Sequence, residues 1–198
     1  MTSTTRRLKQ APPSVLYVDD LIIRKYEVDD ARAVMESVTE SREHLRPWMP
    51  WIQFEPLDVH ARRKLIREWH QSWANAEDFP MGIFRDGLLI GGTGFHLRGP
   101  EGSVDIGYWL HRDAVGQRVV SRSVRALLDT AFGLEEITHV FITHDRANVA
   151  SGHVPERVGF TLVETSERQK EAPGEEGVLM RWEMIRDNWF RIRGELTE

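Results

Sequence analysis

The segment from Asp105 to Phe132 combines a strand, a short glycine turn and a long amphipathic helix, an arrangement that can bind phosphate groups. Its sequence is DIGYWLHRDAVGQRVVSRSVRALLDTAF. A helix entered through a tight turn leaves about four backbone N–H groups unpaired at the positive end of its dipole. Such a helix start can bind pyrophosphate. We expect the turn at Gly116 and the helix start near Gln117. Taken alone, Gly116 is also compatible with an ordinary connection whose N–H groups bind water.

Arg118 stands where a second glycine would make the phosphate interpretation simple. A residue in the first helical turn has φ near −60°, so we expect that glycine is not required there for backbone conformation. An arginine at the positive end of a helix dipole costs roughly 0.3–1 kcal/mol, which a bound phosphate would offset. The arginine side chain could therefore either crowd a pyrophosphate or clamp it.

A second polar group lies in the segment NVASGHVPERVGF, which begins at Asn148. We expect Asn148 to cap a helix just after a strand, with Ser151 one turn further on the same side. Pro155 has no N–H to donate to the carbonyl of Ser151, so that carbonyl is expected to be free, at a kink. A hydroxyl beside a free carbonyl could handle a proton. The alternative is that Asn148 is a simple cap and Ser151 an ordinary helical serine.

Two carboxylates are candidates for a general base. Asp105 lies on the strand before the glycine turn, and Glu171 follows the triplet RQK at the end of the next-to-last strand. Either could accept a proton, directly or through water, if partial burial raised its pKa towards neutrality. For each of them the alternative is a solvated surface carboxylate. The eight histidines show no metal-ligand spacing with carboxylates, so we expect no metal site.

The remaining pattern predicts one mixed α/β sheet that positions these residues. Helical spacing of apolar residues follows Asp29–Asp30 and Asp58, whereas two prolines exclude a regular helix in LRPWMPWI. Asp86-Gly87 between two apolar runs predicts a hairpin. The predicted order is β-α-α-β-β-β-α-β-α-β-β.

Composition narrows the class of protein. A chain of 198 residues with 40% hydrophobic residues fits one globular domain. The net charge of −5 argues against nucleic-acid binding. The absence of cysteine excludes disulfides and thiol nucleophiles and is compatible with the cytoplasm. No apolar run approaches the roughly 20 residues that span a membrane, and no secretory signal is expected.

The combined pattern resembles the GNAT superfamily of N-acetyltransferases, within it the RimJ/RimL branch of ribosomal-protein N-terminal acetyltransferases. The resemblance covers about residues 15–184 and rests on the order of LRPWMPW, IGGTGFH, DIGYWLH, AVGQRVVSRSVRALLDTAF and NVAS followed by VPERVGF. It implies a single α/β acetyltransferase domain over residues 14–186, after a flexible tail (1–13) and before a C-terminal extension (187–198). The implied sheet is mixed, mostly antiparallel, twisted and flanked by helices, with a splayed central pair of strands.

The resemblance also implies an acyl-CoA donor, in the first place acetyl-CoA, and a primary amine as acceptor on a protein N-terminus or a small molecule. The splayed strand would pair with the pantetheine arm, and the glycine turn would hold the pyrophosphate. The donor-binding residues would be Trp109, Leu110, His111, Val115, Gly116, Gln117, Arg118, Val119, Val120, Ser121, Asn148 and Ser151. The acceptor pocket would be walled by Trp48, Met49 and Trp51.

The catalytic roles implied by the resemblance concern three residues. Many members carry a tyrosine acid where this chain has Pro155, but the RimJ/RimL branch uses the serine of Asn-x-x-Ser, here Ser151, to protonate the departing thiolate. The base of that branch maps onto Glu171 with a one-residue shift, and the base of the histone-acetylating branch maps onto Asp105. Relatives are often dimers, and exposed strand edges in the C-terminal hairpin would permit a homodimer. Because Arg118 replaces the second glycine of Gly-x-Gly, a catalytically weak or inactive acyl-CoA-binding regulatory protein is the alternative.

Overall fold

One eight-stranded sheet organises the computed structural model, which describes residues 6–195. The strand order is β1-β2-β3-β4-β5-β6-β8-β7, and every neighbouring pair is antiparallel except β5 and β6. The strands are Val15–Val18, Leu21–Lys25, Asp78–Arg85, Leu88–His96, Ser103–Leu110, His139–Asp145, Thr161–Glu167 and Val178–Ile185. This topology confirms the predicted mixed, mostly antiparallel sheet.

Within residues 6–195, five α-helices cover the two faces of the sheet. They are α1 (Ala31–Leu45), α2 (Val59–Ala74), α3 (Val119–Phe132), α4 (Val149–Val158) and α5 (Arg186–Glu195). The buried apolar residues of α1, together with Ile66 of α2, form one core, and those of α3 and α4 belong to another on the opposite face of the sheet, which also includes Trp73 at the end of α2. Among the described residues, no helix has the length and apolarity needed to cross a bilayer.

The chain ends contribute to the second core. Leu8 is buried there, and its N–H donates to the carbonyl of Ala76 at 2.9 Å. The part of the predicted tail (1–13) that the structure describes is therefore anchored to the domain, whereas residues 1–5 lie outside the described residues. The predicted extension forms α5, in which the indole of buried Trp189 donates to Asp129 Oδ1 at 2.9 Å. Residues 196–198 also lie outside the described part.

The central strands β5 and β6 separate after a short stretch of pairing. Their parallel ladder joins only Ser103 to His139, Val104 to Val140 and Asp105 to Phe141, although both strands continue beyond these pairs. The N–H of His111 donates to Ile90 on β4 at 2.9 Å, so alternation directs the backbone groups of Tyr108 and Leu110 away from β4. These groups face the gap. The predicted splay of the central strands is present, and it leaves a free strand edge inside the molecule.

Buried Asp145 holds the far side of this gap. Its Oδ1 accepts from the N–H groups of Ala147 and Glu176, and its Oδ2 accepts from those of Gly177 and Val178, at distances of 2.9–3.1 Å. Burial acts to raise the pKa of Asp145, but these backbone donors outweigh it, and the net pKa is lowered. One carboxylate thus ties the end of β6 to the start of β8.

We expect Asp145→Asn to lower the free energy of unfolding by about 2–3 kcal/mol at neutral pH, because a charged acceptor of several hydrogen bonds is lost. A carboxyl group whose pKa is lower in the folded than in the unfolded protein stabilises the fold at pH values above its unfolded pKa. This stabilisation is lost as the pH falls through the folded pKa. The difference between the two proteins should therefore shrink as the pH falls below the ordinary carboxyl range. Urea titrations across this range measure it, with the exposed Asp86→Asn as the matched control. A difference that stays constant with pH would contradict the assigned role.

Candidate active site

A cavity of about 830 Å³ opens where β5 and β6 separate. Its volume is in the range of small-molecule and cofactor sites. Side chains from both sides of the gap line it, because the separation of two central strands connects the two faces of the sheet. They include Asp105, Tyr108 and Trp109 of β5, Asn148 and Ser151 at the start of α4, and Trp48, Met49, Trp51 and Glu171 from two loops.

The turn before α3 differs from the predicted one in its conformation. Gly116 has φ +81°, and Arg118 also lies in the left-handed region, with φ 57° and ψ 17°. The helix starts at Val119 rather than near Gln117. The expectation that Arg118 has helical φ is therefore wrong, because Arg118 is the N-cap and not a residue of the first turn. A glycine here would be favoured by backbone conformation and not only by ligand approach.

The first turn of α3 presents unpaired N–H groups, as predicted for an anion site. The earliest helical bond runs from the N–H of Arg122 to the carbonyl of Arg118, at 3.1 Å, so the N–H groups of Val119, Val120 and Ser121 precede it. Successive left-handed and helical residues direct neighbouring N–H groups to one concave spot. A Cβ at Gly116 would meet no atom within 4 Å, so that side of the turn is open.

Arg118 directly precedes these N–H groups in the chain. Its side chain is exposed, and no hydrogen bond or ion pair of the described residues involves it. A non-glycine residue in the left-handed region costs roughly 1–2 kcal/mol. The chain thus places a positive charge beside unpaired N–H groups on a strained backbone. Both features are consistent with a residue that binds phosphate.

The other predicted donor-binding residues differ in which of their groups could contact a ligand. Val119 and Val120 are buried in the core, so only their backbone can reach a ligand, and Val115 is exposed. The side chain of Gln117 donates to the carbonyl of Asp113, at 2.8 Å. Leu110 is packed partly against the core of α3 and α4. The remaining three have polar or aromatic partners: the imidazole of His111 pairs with Glu40 Oε2 at 3.0 Å, the buried Ser121 Oγ accepts from Arg157 at 3.4 Å, and Trp109 packs edge-on against Trp51.

Ser151 faces the gap from the first turn of α4. Asn148 caps this helix, as predicted, by accepting from the N–H of Ser151 at 3.2 Å. The Tyr108 hydroxyl lies 3.1 Å from Ser151 Oγ and donates to the Ser151 carbonyl at 3.1 Å. The carbonyl that Pro155 leaves without a helical donor is therefore not free, because Tyr108 satisfies it.

Tyr108 was not predicted as a site residue. Burial raises its pKa well above the usual range, so the hydroxyl stays protonated at neutral pH. A hydroxyl that donates to the carbonyl still has lone pairs that can accept from Ser151 Oγ. Two sequence signals point to this contact in retrospect: Tyr108 lies on the face opposite to Asp105, and Pro155 creates an acceptor in need of a donor.

The two candidate bases lie in different environments. Asp105 is half-buried in the cavity wall, and its Oδ2 is buried without a hydrogen-bond donor among the described residues. Burial raises the pKa of Asp105, although Arg181, Arg98, His96 and Arg6 oppose this rise.

Glu171 also lines the cavity, but it is exposed and pairs with Arg168 at 3.3 Å. It lies in the loop after β7, which ends at Glu167, and not at the end of the strand as predicted. Buried Glu175 fixes this loop by pairing with Arg168 at 2.6 Å and accepting from the N–H of Glu171. The requirement of partial burial is met by Asp105 and not by Glu171.

The predicted acceptor wall is formed by a loop held in place from two directions. Trp48, Met49 and Trp51 line the cavity. The carbonyl of Pro47 accepts from the N–H of Gly174 at 2.9 Å, which links this loop to the one carrying Glu171. Behind it, the buried ion pair of Glu55 and Arg62, with 2.5 Å between Oε1 and Nη2, ties the loop to α2.

The fold, with a central pair of strands that separate, is that of the acetyltransferases of the acyl-CoA-dependent type. The sequence profile of the acetyltransferase (GNAT) domain matches residues 20–161, and the chain belongs to this family. Among residues 6–195, no group of three or more potential metal ligands occurs.

Known proteins of several kinds are similar to this chain. The protein named "Putative ribosomal N-acetyltransferase YdaF", from Bacillus subtilis (strain 168), is 27% identical over 143 residues, or 72% of this chain and 78% of the relative. RimL, a ribosomal L7/L12 alpha-N-protein acetyltransferase solved with coenzyme A, has a TM-score of 0.80 at 22% identity, covering 88% of this chain and 99% of that one. The microcin C7 self-immunity acetyltransferase MccE, solved with acetyl-CoA and AMP, has a TM-score of 0.80 at 18% identity, covering 87% and 97%. The family and the RimJ/RimL-type resemblance are confirmed.

We expect Arg118→Gly to raise the free energy of unfolding by about 1 kcal/mol, because glycine removes the left-handed strain. The same change should weaken acetyl-CoA binding about tenfold or more, because a charge-assisted bond to phosphate is lost. Arg118→Gln is the matched control, since it removes the charge and keeps the strain: it should lose affinity without gaining stability. Urea unfolding and calorimetric titration measure the two effects. Tighter binding by Arg118→Gly would show that the arginine crowds the donor.

Proposed function

We propose that this protein transfers an acetyl group from acetyl-CoA directly to the N-terminal amine of a protein, with ribosomal proteins as the first acceptors to test. The observation that carries this function is the gap between β5 and β6. It lies between an anion-binding helix start on one side and a cavity with a partly buried carboxylate on the other. The relative named as a ribosomal N-acetyltransferase supports the choice of acceptor.

The donor would be held mainly by backbone groups. The N–H groups at the start of α3 would bind the pyrophosphate, with Arg118 as an added cation. The free backbone edge of Tyr108 and Leu110 would pair with the amide groups of the pantetheine arm, in the manner of an added strand. The thioester would then lie within the gap, close to Ser151.

The acceptor would enter from the cavity side. Its ammonium meets the part of Asp105 that lines the cavity, and the raised pKa of this carboxyl suits a group that accepts a proton. The neutral amine attacks the thioester carbonyl, and Ser151 donates a proton to the departing thiolate sulfur. As the amide forms, the attacking nitrogen releases its second proton, which replaces the one that Ser151 gives up; the hydroxyl of Tyr108, 3.1 Å from Ser151 Oγ, can pass this proton on and stays protonated itself. Holding both substrates at the gap supplies a large part of the acceleration.

A donor-binding protein with weak or no turnover is the second candidate. Arg118 favours it, because a strained arginine replaces the residue type that the family pattern has there. Calorimetric titration with acetyl-CoA, followed by assays of thiol release with N-terminal peptides and small amines, separates the two candidates. Binding without release on any acceptor would support the second candidate, and release would support the first.

We also propose a compartment, from the nature of the acceptor, and an oligomeric state, from the edge of the sheet. Ribosomal proteins are made in the cytoplasm, which is therefore the compartment we propose. A homodimer would use the exposed outer edge of β7, which pairs with β8 on its other side only. Small-angle scattering in solution tests the dimer.

We expect Ser151→Ala to lower kcat by about 10²–10³, because general acid catalysis contributes on this scale. The Kd of acetyl-CoA should change little, since the cap by Asn148 and the backbone of α4 remain. Tyr108→Phe should lower kcat less, because it removes a group that passes a proton to Ser151 and leaves the Ser151 hydroxyl. Steady-state rates and calorimetric titrations of the two variants measure these effects. An unchanged kcat for Ser151→Ala would remove Ser151 from the mechanism.

We expect Asp105→Asn to lower kcat by about 10² or more, whereas Glu171→Gln should leave it within about threefold. In the parent protein, kcat/KM should fall on acidification at a pH above the ordinary carboxyl range, because burial raises the pKa of Asp105. This limb should disappear in Asp105→Asn. The reverse ranking of the two variants would assign the base to Glu171.

The thermal stability of Asp105→Asn provides a control for its activity. A raised carboxyl pKa means that the native state binds the proton more tightly than the unfolded state, so stability declines as pH rises through the folded pKa. Ionised Asp105 is therefore destabilising at neutral pH, and Asp105→Asn should melt at a higher temperature. A loss of activity together with a lower melting temperature would indicate damage to the fold instead.

A further inference from the structure

Three titratable residues lie side by side across β3, β4 and β5 at the closed end of the gap. Asp78 is directly opposite His96, and His96 is directly opposite Asp105. Directly opposite residues of antiparallel strands share a face, with Cβ atoms about 4.5–5.5 Å apart. All three side chains line the cavity. The strand register thus aligns two carboxylates with an imidazole between them.

The imidazole of His96 has a fixed orientation. Its Nδ1 lies 2.7 Å from Asp78 Oδ1, and a carboxylate can only accept, so Nδ1 carries the proton. In the neutral ring, Nε2 is then an acceptor. Nε2 lies above Gly107, where a Cβ would be only 2.9 Å away, so the glycine provides the space for the ring. No described residue forms a hydrogen bond with Nε2. Among the described residues, His96 forms an ion pair within 4.0 Å only with Asp78, so a water in the cavity would have to join Nε2 to the Asp105 carboxylate.

The other groups that act on Asp105 cannot take a proton from it. They are the guanidinium groups of Arg181 on β8, Arg98 in the turn after β4 and Arg6 before β1. Beyond Asp105 in the same row, β6 contributes the apolar Phe141, and Glu183 follows only on β8. His96 is thus the proton acceptor that the described surroundings of Asp105 offer.

We propose that His96, oriented by Asp78, relays to solvent the proton that Asp105 removes from the acceptor. This inference rests on the proposed amine acetylation. The ammonium proton moves to Asp105, from Asp105 through one bridging water to Nε2 of His96, and from the resulting imidazolium to bulk solvent. Asp78 stabilises the imidazolium through its bond to Nδ1. The side chain of His96 is 19% exposed and that of Asp78 is 37% exposed, so the Asp78 end of the row opens to solvent.

If His96 relays the proton, Asp105 should lose its proton slowly once His96 is removed. We expect His96→Ala to lower kcat about tenfold or more, with the KM for acetyl-CoA within about twofold, because the donor is bound on the other side of the gap. Added imidazole should restore a substantial part of kcat in His96→Ala by occupying the space left by the ring. It should not restore His96→Gln, in which the amide fills that space. Asp78→Asn should lower kcat less than His96→Ala.

The exposed His60→Gln on α2 is the matched control and should behave as the parent protein does. Circular dichroism and thermal melting establish that each variant folds. A parent protein that acetylates no amine would overturn the proposed function and the relay with it. An active parent with undiminished kcat in His96→Ala would overturn the relay alone. So would a His96→Ala variant that loses activity and does not respond to imidazole, since His96 would then serve only the packing.

Discussion

The parallel pairing of β5 with β6 ends after three residue pairs, and most of the site depends on that ending. A strand in the middle of a sheet normally has both edges bonded, because unpaired backbone groups are costly when buried. Here the edge of Tyr108 and Leu110 is left open within the domain. Such an edge suits a hydrogen-bonding ligand, and the amide groups of the proposed donor would supply the missing partners. The separation also joins the two faces of the sheet, so that a donor on one face can meet an acceptor on the other.

Two contacts keep the strands apart. On one side, the Tyr108 hydroxyl reaches across the gap and occupies the carbonyl that Pro155 leaves without a helical donor. On the other, Asp145 gathers backbone N–H groups from the end of β6 and the start of β8. Neither contact is a regular element of a sheet. They replace the missing strand pairs and hold the start of α4, with Ser151, at a fixed distance from β5.

The sequence predicted most of the fold and part of the site. Hairpin and capping signals are local, so Asp86-Gly87 and the cap by Asn148 could be read directly from residue types. The conformation of Arg118 could not, because the residue at which a helix starts depends on how the preceding turn meets the sheet. The partners of Ser151 and Asp105 could not be predicted either. Tyr108 and His96 are brought to them by strand separation and strand register, which are set by pairing across the whole sheet.

The row of Asp78, His96 and Asp105 shows how strand register determines which side chains of the site are neighbours. A slip of one residue between β4 and β5 would move His96 opposite a neighbour and place the two side chains on different faces. The register is fixed by the apolar residues that alternate with this row, since Phe95 and Ile106 pack into the core of α3 and α4. The energy that selects the register therefore comes from the opposite face of the sheet. Polar residues that are themselves costly to bury, such as Asp105 with its unpaired oxygen, can be aligned in this way because the core holds them in place.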